Sequence, residues 1–168
     1  KSVFDDPMAV LCLERLMSIA SEEDKRWIIK RKRMYEGIQA RDAKAGVRRV
    51  MAFDRLANRF IADNPNCTVI NLACGFDTRF WRIENKKCKY IEIDLPEVIK
   101  LTKEMLKDHL GYEVMGSSVL EPSWIDEVTI NGNMDFLLIA EGLFMWFPER
   151  EAIRLFKEIG EKFYRSQL

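Results

Sequence analysis

Several features that would assign a function at once are scarce or missing from the sequence. The 168 residues include a single histidine, and the four cysteines contain no CxxC spacing. A zinc site needs more such ligands at closer spacing, so we expect no metal site. Cysteines without paired spacing are typical of reduced thiols, which leads us to expect a cytoplasmic protein.

The sequence also lacks an excess of charge and a long hydrophobic run. The 27 lysines and arginines equal the 27 aspartates and glutamates in number, which argues against a strongly basic nucleic-acid surface. No apolar stretch approaches the roughly 18 residues of a membrane-spanning helix. We therefore expect one globular domain whose partners include neither nucleic acid nor a membrane.

The N-terminal part of the chain has the hydrophobic period of helices. Apolar residues recur after Pro7 as far as Ile19, and Ser21 followed by two glutamates is typical of a helix N-cap. Residues 45–61 present one broad apolar face, and the Asn-Pro-Asn at 64–66 ends that helix. We therefore expect helices over most of the chain before the first strand.

From position 67 onward, strand-like segments alternate with helical ones. This alternation predicts an α/β fold, a Rossmann-like parallel sheet with helices on both faces. A helical extension or lid at residues 1–62 would precede a ligand-binding domain at residues 63–168, and the two would pack as one compact unit. The predicted strands are residues 69–73, 89–94, 112–115 and 136–140.

Small or polar residues stand at the ends of all four strands, including the Gly-Ser-Ser turn at 116–118, at the edge where such sheets bind ligands. Ala73 and Gly75 lie in a tight turn with little side chain to obstruct a ligand. Asp94 ends the second strand 21 positions after Ala73, about the spacing at which a carboxylate meets a ribose diol. Glu141 follows the fourth strand, so the pattern predicts a nucleotide-type ligand at this edge.

Four segments, in this order, resemble the leucine carboxyl methyltransferase family, including its tetracenomycin-type polyketide O-methyltransferases. They are NLACGFDTRFWR at 71–82, IDLPEV at 93–98, SVLEPSW at 118–124 and IAEGLFMWF at 139–147. Any one segment would be weak evidence, whereas four in order are specific. The resemblance implies S-adenosylmethionine as methyl donor. It also implies O-methylation of a small-molecule carboxylate or hydroxyl, such as a polyketide, or of a protein C-terminal carboxylate.

The resemblance further implies how individual residues would hold the donor. Ala73 and Gly75 would form the loop against its methionine part. Asp94 would accept hydrogen bonds from its ribose hydroxyls. Glu141 would face its amino group or lie close to it.

The remaining implied contacts involve the adenine and the donor carboxylate. Ser118 and Val119 would lie beside the adenine. Arg49 best fits the family's arginine in the preceding helix, which pairs with the carboxylate, and Arg48 is the one-residue alternative. The sequence departs from the family at Ala73 and Ser118, where most members have glycine and aspartate. A serine keeps one hydrogen bond but carries no charge.

For methyl transfer the protein mainly has to hold the acceptor oxygen, the methyl carbon and the sulfur in line. The donor is already activated, and a carboxylate acceptor is ionised at neutral pH. We therefore assign no catalytic residue. One alternative is a non-catalytic or truncated methyltransferase-fold domain that binds the donor or a partner without turnover. Another is an NAD-dependent oxidoreductase, which is disfavoured because Thr78 stands where the dinucleotide fingerprint has its third glycine.

Methyltransferase sheets of this class normally continue beyond a fourth strand. We therefore expect an incomplete sheet in a truncated chain, with the apolar strand at 136–140 forming an edge. An exposed edge of this kind would favour self-association.

Some charged residues near the predicted site have structural explanations that compete with ligand binding. Asp77 can cap the helix that follows it, and Glu141 can pair with Arg79 or Arg82. The basic run at 25–33 is typical of a solvated helix, although it could also guide an anionic acceptor or help form a lid.

Overall fold

The computed structural model describes residues 4–36, 40–84, 87–129, 135–163 and 166–167. Its helices are α1 (Pro7–Ile19), α2 (Glu22–Glu36), α3 (Ala40–Asp63), α4 (Pro96–Leu106), α5 (Ser123–Thr129) and α6 (Glu149–Lys162). Its strands are β1 (Thr68–Leu72), β2 (Lys89–Asp94), β3 (Glu113–Gly116), β4 (Phe136–Ile139) and β5 (Ser166–Gln167). Short 3₁₀ turns lie at Arg79–Trp81, Lys107–His109 and Phe144–Trp146.

The strands form one parallel sheet in the order β3-β2-β1-β4-β5. β1 lies at the centre, where Ile70 pairs with Ile91 of β2 on one side and with Leu138 of β4 on the other. The strand order reverses between β1 and β4. Crevices at the carboxyl ends of strands beside such a reversal are the usual ligand sites of α/β sheets.

Apolar clusters cover both faces of the sheet. Successive residues of a strand point to opposite faces, so Val69 joins one cluster while Ile70 and Leu72 join the other. The buried helical residues are Ala57, Phe60 and Ile61 of α3 on the first face, and Trp124, Ile125, Val128, Leu155 and Ile159 of α5 and α6 on the second. The predicted parallel sheet with helices on both faces is therefore confirmed, and α3 forms one of its layers.

Side chains anchor the first helix at its N-terminus and in its C-terminal half. The Asp6 carboxylate accepts a hydrogen bond from the Ala9 N–H at 3.0 Å and caps α1. Arg15 of the same helix donates to the carbonyls of Met105 and Leu106 at 2.6 and 3.0 Å. A cation is favourable there, because the last carbonyls of α4 lack partners within their own helix.

The helical N-terminal extension consists of α1, α2 and α3. The predicted N-cap at Ser21 is confirmed, since its hydroxyl accepts the Asp24 N–H at 3.1 Å. Among the helices of the described residues, none combines the length and the apolar character needed to cross a membrane. The division of the chain at residue 62 stays a prediction.

Two short elements were not predicted, and one of them corrects the predicted sheet edge. α5 lies between β3 and β4, where no helix with stated bounds was predicted. β5 pairs with Phe136 and Leu137 of β4, so β4 is not a free edge along its whole length. Ala73 was predicted to end β1 but lies outside it, because its φ of +48° is incompatible with a strand.

Candidate functional site

The loop after β1 contains two residues in the left-handed backbone conformation. Ala73 and Gly75 both have positive φ, at +48° and +58°. The Ala73 N–H donates to the Ile93 carbonyl at 2.7 Å, and the Gly75 N–H donates to the Asp94 carboxylate at 2.7 Å. A Cβ built at Gly75 would have no heavy atom within 4 Å, so the space above this residue is free for a ligand.

The positive φ at Gly75 leads to a prediction about how a substitution there changes stability. We expect Gly75→Ala to lower the free energy of unfolding by about 1–2 kcal/mol, because a side chain disfavours the left-handed conformation. The matched control is Gly160→Ala on the exposed surface of α6, where alanine is the better helix former and should add about 0.5–1 kcal/mol. Urea unfolding of both variants measures the difference, and a change of the same sign in both would contradict this explanation.

Asp94 ties the loop to the end of β2. Its second carboxylate oxygen accepts the Leu95 N–H at 2.7 Å, and the residue is 8% exposed. Each carboxylate oxygen has two acceptor positions, so one position on each oxygen is still available for a hydroxyl. This geometry agrees with the predicted ribose contact but does not test it.

Arg49 and Glu141 form an ion pair. From the sequence, Arg49 is predicted to bind the carboxylate of the donor and Glu141 to lie close to its amino group. Arg49 Nε donates to Glu141 Oε1 at 2.7 Å, from a side chain that is 65% exposed. The neighbouring Arg48 is exposed as well, and among the side chains that the structure describes, no carboxylate lies within ion-pair distance of it. Arg49 is therefore the arginine of the two that reaches the predicted site.

Arg79 is a central residue of this site, although the only role predicted for it was an ion pair with Glu141. It is 1% exposed and contacts three carboxylates: Nε donates to Asp54 at 2.9 Å, Nη1 to Asp77 at 2.6 Å and Nη2 to Glu141 at 2.7 Å. The surrounding carboxylates outweigh the effect of burial and raise its pKa further above the ordinary value. Arg79 thereby connects α3, the loop after β1 and Glu141, the second residue after β4.

Arg82 extends this network to the N-terminal segment. It donates to Asp54 at 2.8 Å, to Asp77 at 3.1 Å and to Asp6 at 2.6 Å. Asp77 also accepts the Arg79 N–H at 3.0 Å, but Thr78 and not Asp77 is the N-cap of the 3₁₀ turn at Arg79–Trp81, so the predicted N-cap position of Asp77 is wrong. The only sequence signal for this network is an aspartate followed two and five positions later by arginines, since Asp6 and Asp54 are distant along the chain.

Glu92 is buried beneath the same loop. The residue is 1% exposed, and burial raises its pKa to about 8, with a smaller contribution from the negative charge of Asp77. The nearby Tyr112 hydroxyl opposes this shift, yet neither that hydroxyl nor Glu92 Oε1 has a well-formed hydrogen bond. Glu92 is therefore a neutral carboxylic acid at pH 7.

Burial also determines the protonation state of the Cys74 thiol in the loop. It raises the pKa of this thiol, and the carboxylates around it raise the pKa further: Glu92, once it is ionised above pH 8, together with Asp94 and Asp77. The thiol therefore stays protonated at neutral pH and does not act as a nucleophile. This agrees with Cys74 serving as a small packing residue.

A cavity of about 220 Å³ opens at the carboxyl edge of the sheet. It is lined by Val50, Asn71, Leu72, Ala73, Cys74, Asp77 and Glu141. Pockets for drug-sized ligands usually exceed about 300 Å³, so the cavity fits one end of a nucleoside-sized ligand. The rest of such a ligand would extend over the open space at Gly75 toward Asp94.

The two residues predicted beside the adenine follow β3. The Ser117 N–H donates to the Asp94 carbonyl at 2.8 Å, which brings this turn next to the end of β2. Ser118 is partly exposed, and its hydroxyl accepts the Leu120 N–H at 3.3 Å. The Val119 side chain is buried in the apolar core, and its carbonyl accepts the Trp124 indole N–H at 3.1 Å. Their contact with an adenine stays a prediction.

Comparison with solved structures supports the fold. An O-methyltransferase family protein from Burkholderia thailandensis superposes with a TM-score of 0.50 at 21% sequence identity. The match covers 79% of this chain and 41% of that one. At this identity the similarity concerns the fold alone.

Comparison with known sequences identifies the family. The tetracenomycin polyketide synthesis O-methyltransferase TcmP of Streptomyces glaucescens is 32% identical over 112 residues, which are 66% of this chain and 41% of that protein. Leucine carboxyl methyltransferase 1 of Caenorhabditis elegans is 24% identical over 149 residues, 68% of this chain and 45% of that protein. The chain thus spans less than half the length of these relatives. A model of the leucine carboxyl methyltransferase family matches residues 1–160, and the chain therefore belongs to this family of S-adenosylmethionine-dependent methyltransferases.

Proposed function

We propose that this chain binds S-adenosylmethionine at the carboxyl edge of the sheet and serves the transfer of its methyl group to an oxygen acceptor, with S-adenosylhomocysteine as the leaving group. The observation that carries the proposal is the Arg49–Glu141 ion pair beside the loop of Ala73 and Gly75. A guanidinium and a carboxylate side by side match the carboxylate and the ammonium of the donor's methionine part. The bound donor would supply a methyl group activated by a sulfonium.

Both members of the ion pair keep free hydrogen-bonding positions. Arg49 uses Nε for Glu141, which leaves four N–H groups for a carboxylate. Glu141 accepts one bond on each oxygen, from Arg49 and Arg79, and retains an acceptor position on each for an ammonium. Since Arg79 is buried, it holds Glu141 in place before any ligand arrives, which lowers the ordering cost of binding.

The charge around the loop also suits a cationic donor. Three guanidiniums, of Arg49, Arg79 and Arg82, face four carboxylates, of Asp6, Asp54, Asp77 and Glu141. Asp94 adds a fifth carboxylate at the end of β2. Because carboxylates outnumber guanidiniums here, the local potential favours a ligand that carries a sulfonium.

The acceptor in this proposal is a carboxylate or a hydroxyl, of a small molecule or of a protein C-terminus. A carboxylate needs no general base, because it is ionised at neutral pH. This suits a chain with a single histidine, His109, which is exposed in the turn after α4. The alternative is a domain that binds the donor without turnover, and it is separated from catalysis by the experiment below.

The test is isothermal titration with S-adenosylmethionine, S-adenosylhomocysteine and NAD. We expect both sulfur ligands to bind and NAD not to bind. Arg49→Gln should weaken donor binding about 10- to 100-fold, because it removes a charged hydrogen bond worth roughly 1.5–3 kcal/mol. Arg48→Gln is the matched control on the same exposed helix surface and should bind as the parent does.

Equal losses in the two arginine variants, or binding of NAD alone, would contradict the proposal. A second measurement follows the label from methyl-tritiated donor. Methyl esters of carboxylates release methanol in base, whereas methyl ethers of hydroxyls do not, so base treatment identifies the acceptor class. Tight donor binding without label transfer to either class would favour the non-catalytic alternative.

A further inference from the structure

Two cysteines lie side by side at the end of the sheet opposite the candidate site. Cys67 directly precedes β1, and Cys88 directly precedes β2. We propose that Cys67 and Cys88 form a redox-active thiol pair, which a peroxide converts into a disulfide that joins the starts of the two central strands. This inference is independent of the proposed methyl transfer.

The sheet register brings the two cysteines together. β1 and β2 are parallel, with Thr68 opposite Lys89, so the preceding residues are neighbours as well. The Lys89 N–H donates to the Cys67 carbonyl at 3.0 Å, which continues the ladder to this position. Neighbouring strands lie about 4.8 Å apart, which is within the Cα separation of roughly 4.4–6.8 Å that a disulfide requires.

The two thiols contact each other and differ in reactivity. The interaction between the two thiols raises the pKa of Cys67, which burial raises further, and it lowers the pKa of Cys88. Cys67 is 1% exposed, whereas Cys88 is partly exposed. The more exposed residue of the pair is therefore also the one whose thiol pKa is lowered, whereas the buried Cys67 has a raised pKa. This is the arrangement of an attacking and a resolving cysteine.

The other two cysteines provide internal controls. Cys12 is buried, and its pKa is raised mainly by that burial. Burial and neighbouring carboxylates raise the pKa of Cys74. Both should react slowly with electrophiles, because the thiolate is the reactive form.

The oxidation is balanced by one peroxide molecule. The Cys88 thiolate attacks hydrogen peroxide, the O–O bond breaks, and a proton completes one water as Cys88 becomes a sulfenic acid. The Cys67 sulfur then attacks the Cys88 sulfur, the S–O bond breaks, and the Cys67 proton leaves with the hydroxide as a second water. The pair loses two electrons, and a thiol reductant restores both thiols.

The disulfide would form away from the candidate donor site. Asp94 and the loop of Ala73 and Gly75 follow the carboxyl ends of β1 and β2, whereas the cysteines precede the amino ends. A five-residue strand spans about 16 Å. The cross-link should therefore change donor affinity less than twofold, so that its formation can be measured separately from ligand binding.

The experiment treats the fully reduced protein with one equivalent of hydrogen peroxide and maps the product by peptide mass spectrometry without reduction. We expect a Cys67–Cys88 linkage with the loss of two hydrogens, reversed by dithiothreitol. Iodoacetamide should label Cys88 at least about tenfold faster than Cys12 or Cys74. Cys88→Ser should abolish the linkage, and Cys67→Ser should leave Cys88 as a sulfenic acid that dimedone traps.

The double variant Cys12→Ser/Cys74→Ser is the matched control and should form the disulfide at the rate of the parent. Three results would overturn the proposal. They are a parent protein that keeps all four thiols, a disulfide that involves Cys12 or Cys74, and oxidation of Cys88 to the sulfinic acid while Cys67 stays reduced.

Discussion

Arg79→Met is expected to lower the free energy of unfolding by about 3–5 kcal/mol, because it leaves three carboxylates without their shared cation. Asp54, Asp77 and Glu141 all contact the Arg79 guanidinium within 3 Å, and Arg79 is almost completely buried. Breaking a buried ion pair on one side costs more than the pair contributes, since the remaining charges stay desolvated. Against a total stability of roughly 5–15 kcal/mol, the loss is large.

The control for Arg79 is an exposed arginine in an ion pair of its own. Arg150 is 84% exposed and lies 3.4 Å from Glu151, so Arg150→Met should cost less than about 1 kcal/mol. Arg79→Lys should fall between the two, because it keeps the charge but not the planar fork that reaches three partners. Urea unfolding at pH 7 measures all three, and a loss below 1 kcal/mol in Arg79→Met would contradict the central role of this residue.

Glu92→Gln is expected to remove a pH dependence of stability that the parent protein shows. The pKa of Glu92 is about 8 in the folded protein and 4.5 for an ordinary glutamate. Between these values the folded state holds a proton that the unfolded state releases, so stability falls as the pH rises from 4.5 to 8 and is level above it. The loss amounts to up to about 4 kcal/mol between pH 5 and pH 8, at 1.36 kcal/mol per pH unit.

The measurement is the difference between the unfolding free energies of parent and variant across pH 5–9, because the other carboxylates titrate in both proteins. Glutamine mimics the protonated acid, so we expect Glu92→Gln to be more stable than the parent above pH 8 and similar to it at pH 5. Glu113→Gln is the control on the neighbouring strand, where the side chain is half exposed and paired with Lys89. A Glu92→Gln profile parallel to that of the parent would show that Glu92 is ionised when folded.

The central strands could be predicted because their sequence signals are local. β2 begins at Lys89 and ends at Asp94 as predicted, and all residues after the exposed Lys89 are buried. β1 is shifted by one residue because Ala73 adopts a conformation that sequence patterns assign to glycine. β5 is two residues long and is defined only by its pairing with β4, so its sequence carries no signal.

Several residues of the candidate site could be predicted from the sequence, but the ion pairs between them could not. Arg49 and Glu141 were both named from the family resemblance, yet 92 positions separate them, and their ion pair depends on how α3 packs against the sheet. The same holds for Arg79, whose partners Asp54 and Glu141 lie 25 and 62 positions away. Pairings over such distances follow from tertiary structure and not from any local pattern.

The ion network gives the site a rigid frame. Carboxylates fixed before binding stabilise a cationic ligand without reorganising, which is the advantage of a preorganised polar site over water. Asp6 belongs to this frame, since one of its oxygens caps α1 and the other accepts hydrogen bonds from Thr78 and Arg82 at 2.6 Å. The N-terminal segment is thereby connected to the turn that follows the loop.

The most direct test of the proposed donor site is a crystal structure of the chain with S-adenosylhomocysteine. We predict that its amino acid end lies in the cavity between Ala73 and Glu141, with the carboxylate bound by Arg49. Its ribose hydroxyls should lie within hydrogen-bond distance of Asp94. Density for the ligand elsewhere, for example in the groove between Phe4 and Trp81, with Arg49 and Asp94 free of contact, would contradict the account.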